Sequence, residues 1–367
     1  MRIIYLFILY IFSIGFIHCF NLKSSNLKFG SNYASISTSK FQTLRILKIS
    51  NNLKSKNDNS LNMISSYERC DAYAEYLKKP RFGGRFGSIL RYLNIGMVAT
   101  LFVFILRVLN NLKVYGKQKL MNLVWNRSKT QGLLTVSNHM SVMDDPGLWS
   151  AMLPWYRMRP EQMRWSVCTD DVFFCLDGKM APIFGGGNVI PLDRRGSLEQ
   201  PLFKRFHEKL DGGSWCHIFA EGRVWQSWRF DKNETNLGKF KFGVGKLIAH
   251  SSVTPIVIPV YHRGMDKIVP EKQYKDEKKR KKRASVPITI IPKMGKTVHM
   301  HIGDPVDFSS IISDFKKKHP GMLDSWSSSR ECLELYEQLT ELVRKEVVKL
   351  EAESFKRDPV TNDATIE

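Results

Sequence analysis

From about residue 130 the chain alternates between short apolar, β-branched runs and segments with helical spacing. The runs are GLLTVS, RWSVCT, NVIPL, WCHIFA, PIVIPVY, VPITIIP and KTVHMHI, with helix-like stretches at 146–153, 198–210 and 238–250. Apolar runs of this length bounded by turn residues read as buried strands. Towards the end, ECLELYEQLTELVRKEVVKLE (331–351) carries its apolar residues on one helical stripe. Strands alternating with helices predict an α/β domain over 111–355, a mostly parallel sheet flanked by helices, with 356–367 as a disordered tail. Pro259 inside PIVIPVY predicts an edge strand or a bulge, because proline cannot donate to the ladder.

Two earlier stretches are apolar without alternation. The first twenty residues place one positive charge before the run Ile3 to Ile17, a signal peptide or signal anchor by length. Residues 21–57 then hold seven Lys or Arg and no Asp or Glu among many Ser and Asn. That composition makes 21–70 a transit-like or disordered leader. Together the two parts resemble a leader for a plastid of secondary origin or the endomembrane system. The second apolar stretch, ILRYLNIGMVATLFVFILRVL, occupies 89–109. Its uninterrupted part, Ile95 to Leu106, is short for a span, and Arg91 and Arg107 bracket it. Residues 85–110 are therefore expected to form a membrane-associated helix, half-inserted or interfacial, with both arginines reaching headgroups. A buried helix of the globular core is the alternative.

Charge narrows the partners. A formal net charge of +21 over 367 residues favours a polyanion: an anionic membrane, a phosphorylated substrate or nucleic acid. KDEKKRKKR (275–283) is read as a solvated loop that could rest on such a membrane. The six cysteines form no CxxC and no zinc spacing, so no metal and no disulfide framework is expected.

Four patches could carry chemistry. In SNHMSVMDDPGLW (137–149), His139 and Asp144 are five positions apart, which on one continuous helix would point them away from each other. GLLTVS ends a strand, however, and Asp145-Pro146 reads as N-cap and first helical residue. A tight strand-to-helix turn would let the two side chains converge, Asp144 fixing one tautomer of His139 as a general base. Taken alone, the stretch also reads as an aspartate cap beside a surface histidine. GGGNVIPLDRRGS (185–197) ends a strand in Arg194 and Arg195, which suit phosphate, or a solvated ion-pair network. HIFAEGRV (217–224) delivers Glu221, Gly222 and Arg223 into a turn, with Gly222 free to take a positive φ. TPIVIPVYHRGM (254–265) is expected to shape an apolar channel rather than perform chemistry.

In order, NHMSVMD, GNVIPLDR, FAEGR and VIPV resemble the glycerolipid acyltransferase superfamily, whose first motif is HxxxxD. The finer likeness is to the tafazzin family, carried by NHMSVMDDPGLW, RWSVCTDD, HIFAEGRV, KFGVGKLIAHS and PIVIPVYHRGM over roughly 85–350. Ala220 stands where the family usually has proline, which is expected to loosen the turn presenting Glu221. The resemblance implies transfer of a fatty acyl group to the hydroxyl of a lysophospholipid. His139 would be the base and Asp144 its partner; Arg194, Glu221, Gly222 and Arg223 would hold the substrate phosphate. It implies phospholipid donors without a cofactor, cardiolipin remodelling, membrane phospholipids and lysophospholipids as partners, and a mitochondrial membrane. Other branches use acyl-CoA or acyl-ACP to acylate lysophosphatidate.

Rival classes find less support. His299 and His301 alternate on one strand and His262 is of the same type, but no HExxH or carboxylate cluster accompanies them. No GxSxG elbow supports a serine hydrolase. A basic nucleic-acid-binding protein would leave the apolar segments unexplained and has no recognisable signature, so nucleic acid is not an expected partner.

Overall fold

A computed structural model describes residues 84–359 apart from 155, 157–158, 174–180, 194–195, 227–234, 273–287 and 289–290. The two-part leader and the basic run 275–283 lie outside the described residues. A long helix α1 (Gly84–Val103) passes into a π-helical segment, Phe104–Val108. Then follow β1 (Asn111–Tyr115), α2 (Lys117–Asn126), β2 (Leu133–Ser137), α3 (Asp144–Met152), β3 (Trp165–Thr169), α4 (Ala181–Gly186) and β4 (Val189–Leu192). The second half contributes α5 (Pro201–Asp211), β5 (Trp215–Phe219), α6 (Gly243–Ala249), β6 (Ile256–Arg263), β7 (Thr297–Ile302), α7 (Ser309–Lys318) and α8 (Arg330–Arg357).

The strands form one sheet in the order β1-β7-β6-β2-β5-β3-β4. Every pairing is parallel except β6 with β7. Strands buried on both faces alternate their side chains between two apolar layers. Leu134 and Val136 of β2 face α5, α6 and α8, where they meet Phe206, Leu247, Leu339 and Val343. Leu133 faces the other way, into a core shared with α1, α2 and α3 through Leu106, Leu120 and Trp149. Each large apolar side chain buried this way contributes about 1.5–3 kcal/mol. Ser329 caps α8, its hydroxyl accepting from the Cys332 amide at 3.3 Å.

Helices α6 and α8 approach through a glycine. A Cβ on Gly245 would lie 2.1 Å from the Tyr336 carbonyl oxygen and 2.6 Å from its Cα, and the Gly245 amide donates to Thr340 Oγ1 at 3.0 Å. Backbone cannot step aside as a side-chain tip can. Gly245→Ala is therefore expected to destabilise by about 1–3 kcal/mol, read as a lower urea midpoint at unchanged slope. An unchanged midpoint would refute this close packing.

Several expectations are corrected. Strand β1 and helices α2 and α7 are not among the expected elements; β1, NLKVY, lies at the sheet edge and is mostly half-buried. Of VPITIIP most lies outside the described residues; Ile288 and Ile291, which are described, lie in bends with exposed side chains. Strand β6 is interior, not an edge. Pro259 falls where the antiparallel ladder breaks step between the pairs Val260↔Ile302 and Val257↔Val306, the bulge form of the expectation. Helix α8 continues through Arg357, two residues past the expected boundary.

The apolar N-terminal helix is longer than its uninterrupted core suggested. Ile89–Val108, 20 residues, is long and apolar enough to cross a membrane. Its arginines are not left to reach headgroups: Arg91 donates to Asn188 Oδ1 at 2.6 Å and Arg107 Nε to the Ala151 carbonyl at 2.7 Å. One face, with Ile95, Ala99, Phe102 and Leu106, is buried against the globular layer, whereas Leu93 and Val108 are 60% and 66% exposed.

Candidate active site

Strands β2, β5 and β6 run in the same direction, and their carboxyl ends meet beside α3. Open α/β sheets present ligand sites outside these ends. After Ser137 the chain leaves β2 through a turn closed by the Asp144 amide donating to the Ser141 carbonyl at 3.0 Å. The Asp144 carboxylate folds back over that turn. Its Oδ2 accepts from the Met140 and Ser141 amides at 2.7 and 2.9 Å and lies 2.9 Å from His139 Nδ1. Asp144 is fully buried, and the His139 side chain is 18% exposed. Burial pushes the Asp144 carboxyl up, but His262, His139 and the Ser141 amide together hold it below the ordinary aspartate value. An ionised Oδ2 can only accept, so Nδ1 carries a proton, and in the neutral ring the lone pair is on Nε2. The imidazole stacks on Phe219, ring centroids 3.9 Å apart, which fixes its plane.

The loop after β5 clamps this turn. Glu221, 1% exposed, accepts from the His139 amide through Oε2 and from the Gly238 amide through Oε1, both at 2.6 Å. On the other side of the same residue, the Trp225 amide donates to the His139 carbonyl at 2.7 Å. Gln226 adds a bond to the Met140 carbonyl at 3.1 Å. Burial pushes the Glu221 carboxyl up to about 8, against the two amide donors that favour its ionised form. Glu221 therefore departs from its expected place among phosphate-holding groups: both oxygens are taken by backbone, and it positions His139.

Gly222 has φ +67°, as the turn required. Arg223 lies 4.3 Å from the Trp225 ring centroid, in the loop that clamps His139. Arg194 lies outside the described residues. The Ala220 amide donates to the Ser137 carbonyl at 3.1 Å, a bond proline could not make. The departure at Ala220 thus adds a tie between β2 and β5 where a looser turn was expected.

Sequence reasoning missed three contributors. Asp145 was expected to cap the helix. Its backbone is extended, and the peptide to Pro146 is cis. The carboxylate instead pairs with Arg164, whose Nε donates to Asp145 Oδ1 at 2.7 Å and whose Nη1 reaches the Gly187 carbonyl at 3.2 Å. Asn138 and His262 are the others. His262 lies in the patch expected to shape a channel rather than perform chemistry, yet it is fully buried with Nε2 3.5 Å from Asp144 Oδ2. The signal was the register: Ser137 pairs with Val260, which sets His139 level with His262. That needs β2 and β6 known to be neighbours. His299 and His301 lie on the opposite face of the sheet, where His299 Nδ1 is 3.2 Å from Asp358 Oδ2. No group of three or more His, Cys, Asp or Glu among the described residues could hold a metal.

A buried carboxylate orienting an imidazole at the mouth of such a sheet, on a chain whose residues 111–263 match the family described as Acyltransferase, defines an acyltransferase. The chain is 33% identical over 222 residues to N-acylphosphatidylethanolamine synthase of Arabidopsis thaliana, covering 60% of this chain and 72% of that protein. It is 34% identical to tafazzin of Drosophila melanogaster over 58% of this chain and 50% of that one. Against tafazzin of Saccharomyces cerevisiae it is 26% identical over 62% and 65%. The chain belongs to the tafazzin family of glycerolipid acyltransferases, although it spans only half the length of the Drosophila relative.

Proposed function

We propose that the protein transfers a fatty acyl group from a phospholipid to the free hydroxyl of a lysophospholipid, with His139 as general base and Asp144 as its partner. The observation that carries this is the 2.9 Å contact between His139 Nδ1 and a buried Asp144, which leaves Nε2 as the proton acceptor. His139 takes the hydroxyl proton, the oxygen attacks the donor's ester carbonyl, and the tetrahedral adduct collapses. The departing lyso-alkoxide then takes the proton back from the imidazolium. Asp144 stabilises that imidazolium without becoming protonated. Arg223, and Arg194 with it, would hold the acceptor phosphate while Gly222 lets backbone approach it.

The tafazzin resemblance of the motifs implies cardiolipin remodelling in a mitochondrial membrane as the role, and relatives named tafazzin support that resemblance. The exposed face of α1 and the +21 charge suit an anionic bilayer. The leader favours a plastid or endomembrane address instead. A second reading has one specific support, the relative named N-acylphosphatidylethanolamine synthase. The same base could serve the amine of phosphatidylethanolamine.

One experiment separates these. The enzyme is given liposomes with acyl-labelled phosphatidylcholine, and either lysocardiolipin or phosphatidylethanolamine, without coenzyme A. A parallel arm supplies labelled acyl-CoA. Label moving from phosphatidylcholine into alkali-labile ester of cardiolipin is expected. An alkali-stable amide product would establish the second reading, and transfer only from acyl-CoA would refute the transacylase.

A further inference from the structure

Beneath the His139–Asp144 pair lies an interlock that the reaction as described does not use. Asn138 Nδ2 donates to the His262 carbonyl at 2.8 Å, and the His262 amide donates to Asn138 Oδ1 at 3.0 Å. The His262 ring closes the same pair: Nε2 lies 2.9 Å from the Asn138 carbonyl. A carbonyl only accepts, so Nε2 carries a proton, and in the uncharged ring Nδ1 carries none. Nδ1 is buried with no hydrogen-bond partner. A side chain present only to fill space would not leave a polar atom stranded there. Its proton-bearing nitrogen, meanwhile, is 3.5 Å from Asp144 Oδ2. That single oxygen therefore faces four N–H groups, those of His139, Met140, Ser141 and His262.

We propose that His262, locked by Asn138, is a positioning residue for acyl transfer: its Nε2–H holds the Asp144 carboxylate and the 138–139 peptide so that Asp144 presents Oδ2 to His139. The proposal rests on the reading of His139 as the base. His262 exchanges no proton with substrate and lies a layer below the turn. The groups facing it are Asp144 and His139 from the turn after β2, His217 of β5, and Asp266 from the helical turn Met265–Ile268. Burial opposes its protonation more than Asp144 promotes it, which favours the uncharged ring at neutral pH. Donation to Asp144 also moderates that carboxylate. Without it, Asp144 would bind the His139 imidazolium more tightly, and the proton would leave only at higher pH.

The test compares wild type, His139→Ala, His262→Leu and His262→Gln in acyl transfer between phospholipid and lysophospholipid, with full pH profiles. His262→Leu is expected to lower kcat roughly 10–100-fold at little-changed KM. It should also move the acidic limb of kcat/KM upward by about half a pH unit or more. His262→Gln, whose amide can still donate, should recover much of kcat and return the limb towards wild type. A loss of kcat with an unmoved limb, or Gln behaving as Leu does, would leave His262 a packing residue and overturn the proposal. An active His139→Ala would instead overturn the base assignment. Nitrogen NMR of the wild-type His262 ring needs no variant to fold. The expected state is protonated Nε2 and bare Nδ1 across the assayed pH range; an imidazolium or the opposite tautomer refutes the proposal.

Discussion

Replacing His139 with alanine is expected to lower kcat for acyl transfer by about 10²–10⁴-fold, the contribution of a positioned general base. KM should change little, because the lost interaction is made only as the proton moves. The variant should fold, since the turn is held by main-chain atoms that alanine retains. The His139 amide still donates to Glu221, its carbonyl still accepts from Trp225, and Asp144 keeps the Met140 and Ser141 amides. Steady-state rates on liposomes, with thermal unfolding as the control, check the prediction. Activity within a few-fold of wild type would remove His139 from the mechanism.

The second large effect concerns stability. Arg164 is 2% exposed and its partner Asp145 is 11% exposed. Removing one member of a buried pair strands the other charge, which typically costs about 3–5 kcal/mol. Arg164→Met is expected to lower the unfolding free energy by that much, read as a lower urea midpoint, and to impair catalysis, because Asp145 follows Asp144 directly in the turn. Replacing both members, Arg164→Met with Asp145→Asn, should recover most of the stability, since no buried charge is then left alone. A single variant as stable as wild type would mean the pair is solvated. A double variant no better than the single one would mean that Arg164 acts through packing and its bond to Gly187.

Helix α1 illustrates how local reading undercounts. Polar positions such as Arg91 and Asn94 interrupt the apolar run and shorten the span expected from sequence. In the folded chain the helix carries them without ending, and Arg91 is satisfied by Asn188, a residue 97 positions away. Asp145 shows the opposite error. Asp-Pro before a helix is a sound capping signal, and its extended backbone obeys that signal, but its carboxylate turns to Arg164, which no local rule connects to it.

By itself, the sequence determined what short-range physics controls. Six of the seven strands, the amphipathic C-terminal helix, the positive φ of Gly222 and the tight turn joining His139 to Asp144 all follow from periodicity and turn chemistry within a few residues. Tertiary structure alone decided the groups that work around that pair. Glu221 reaches the His139 amide across 82 positions, and His262 meets Asn138 across 124. Both contacts exist because β5 and β6 flank β2, an order written in no local pattern. Strand neighbours are chosen by how whole faces bury together, and that choice turned a carboxylate expected to meet phosphate into a backbone clamp.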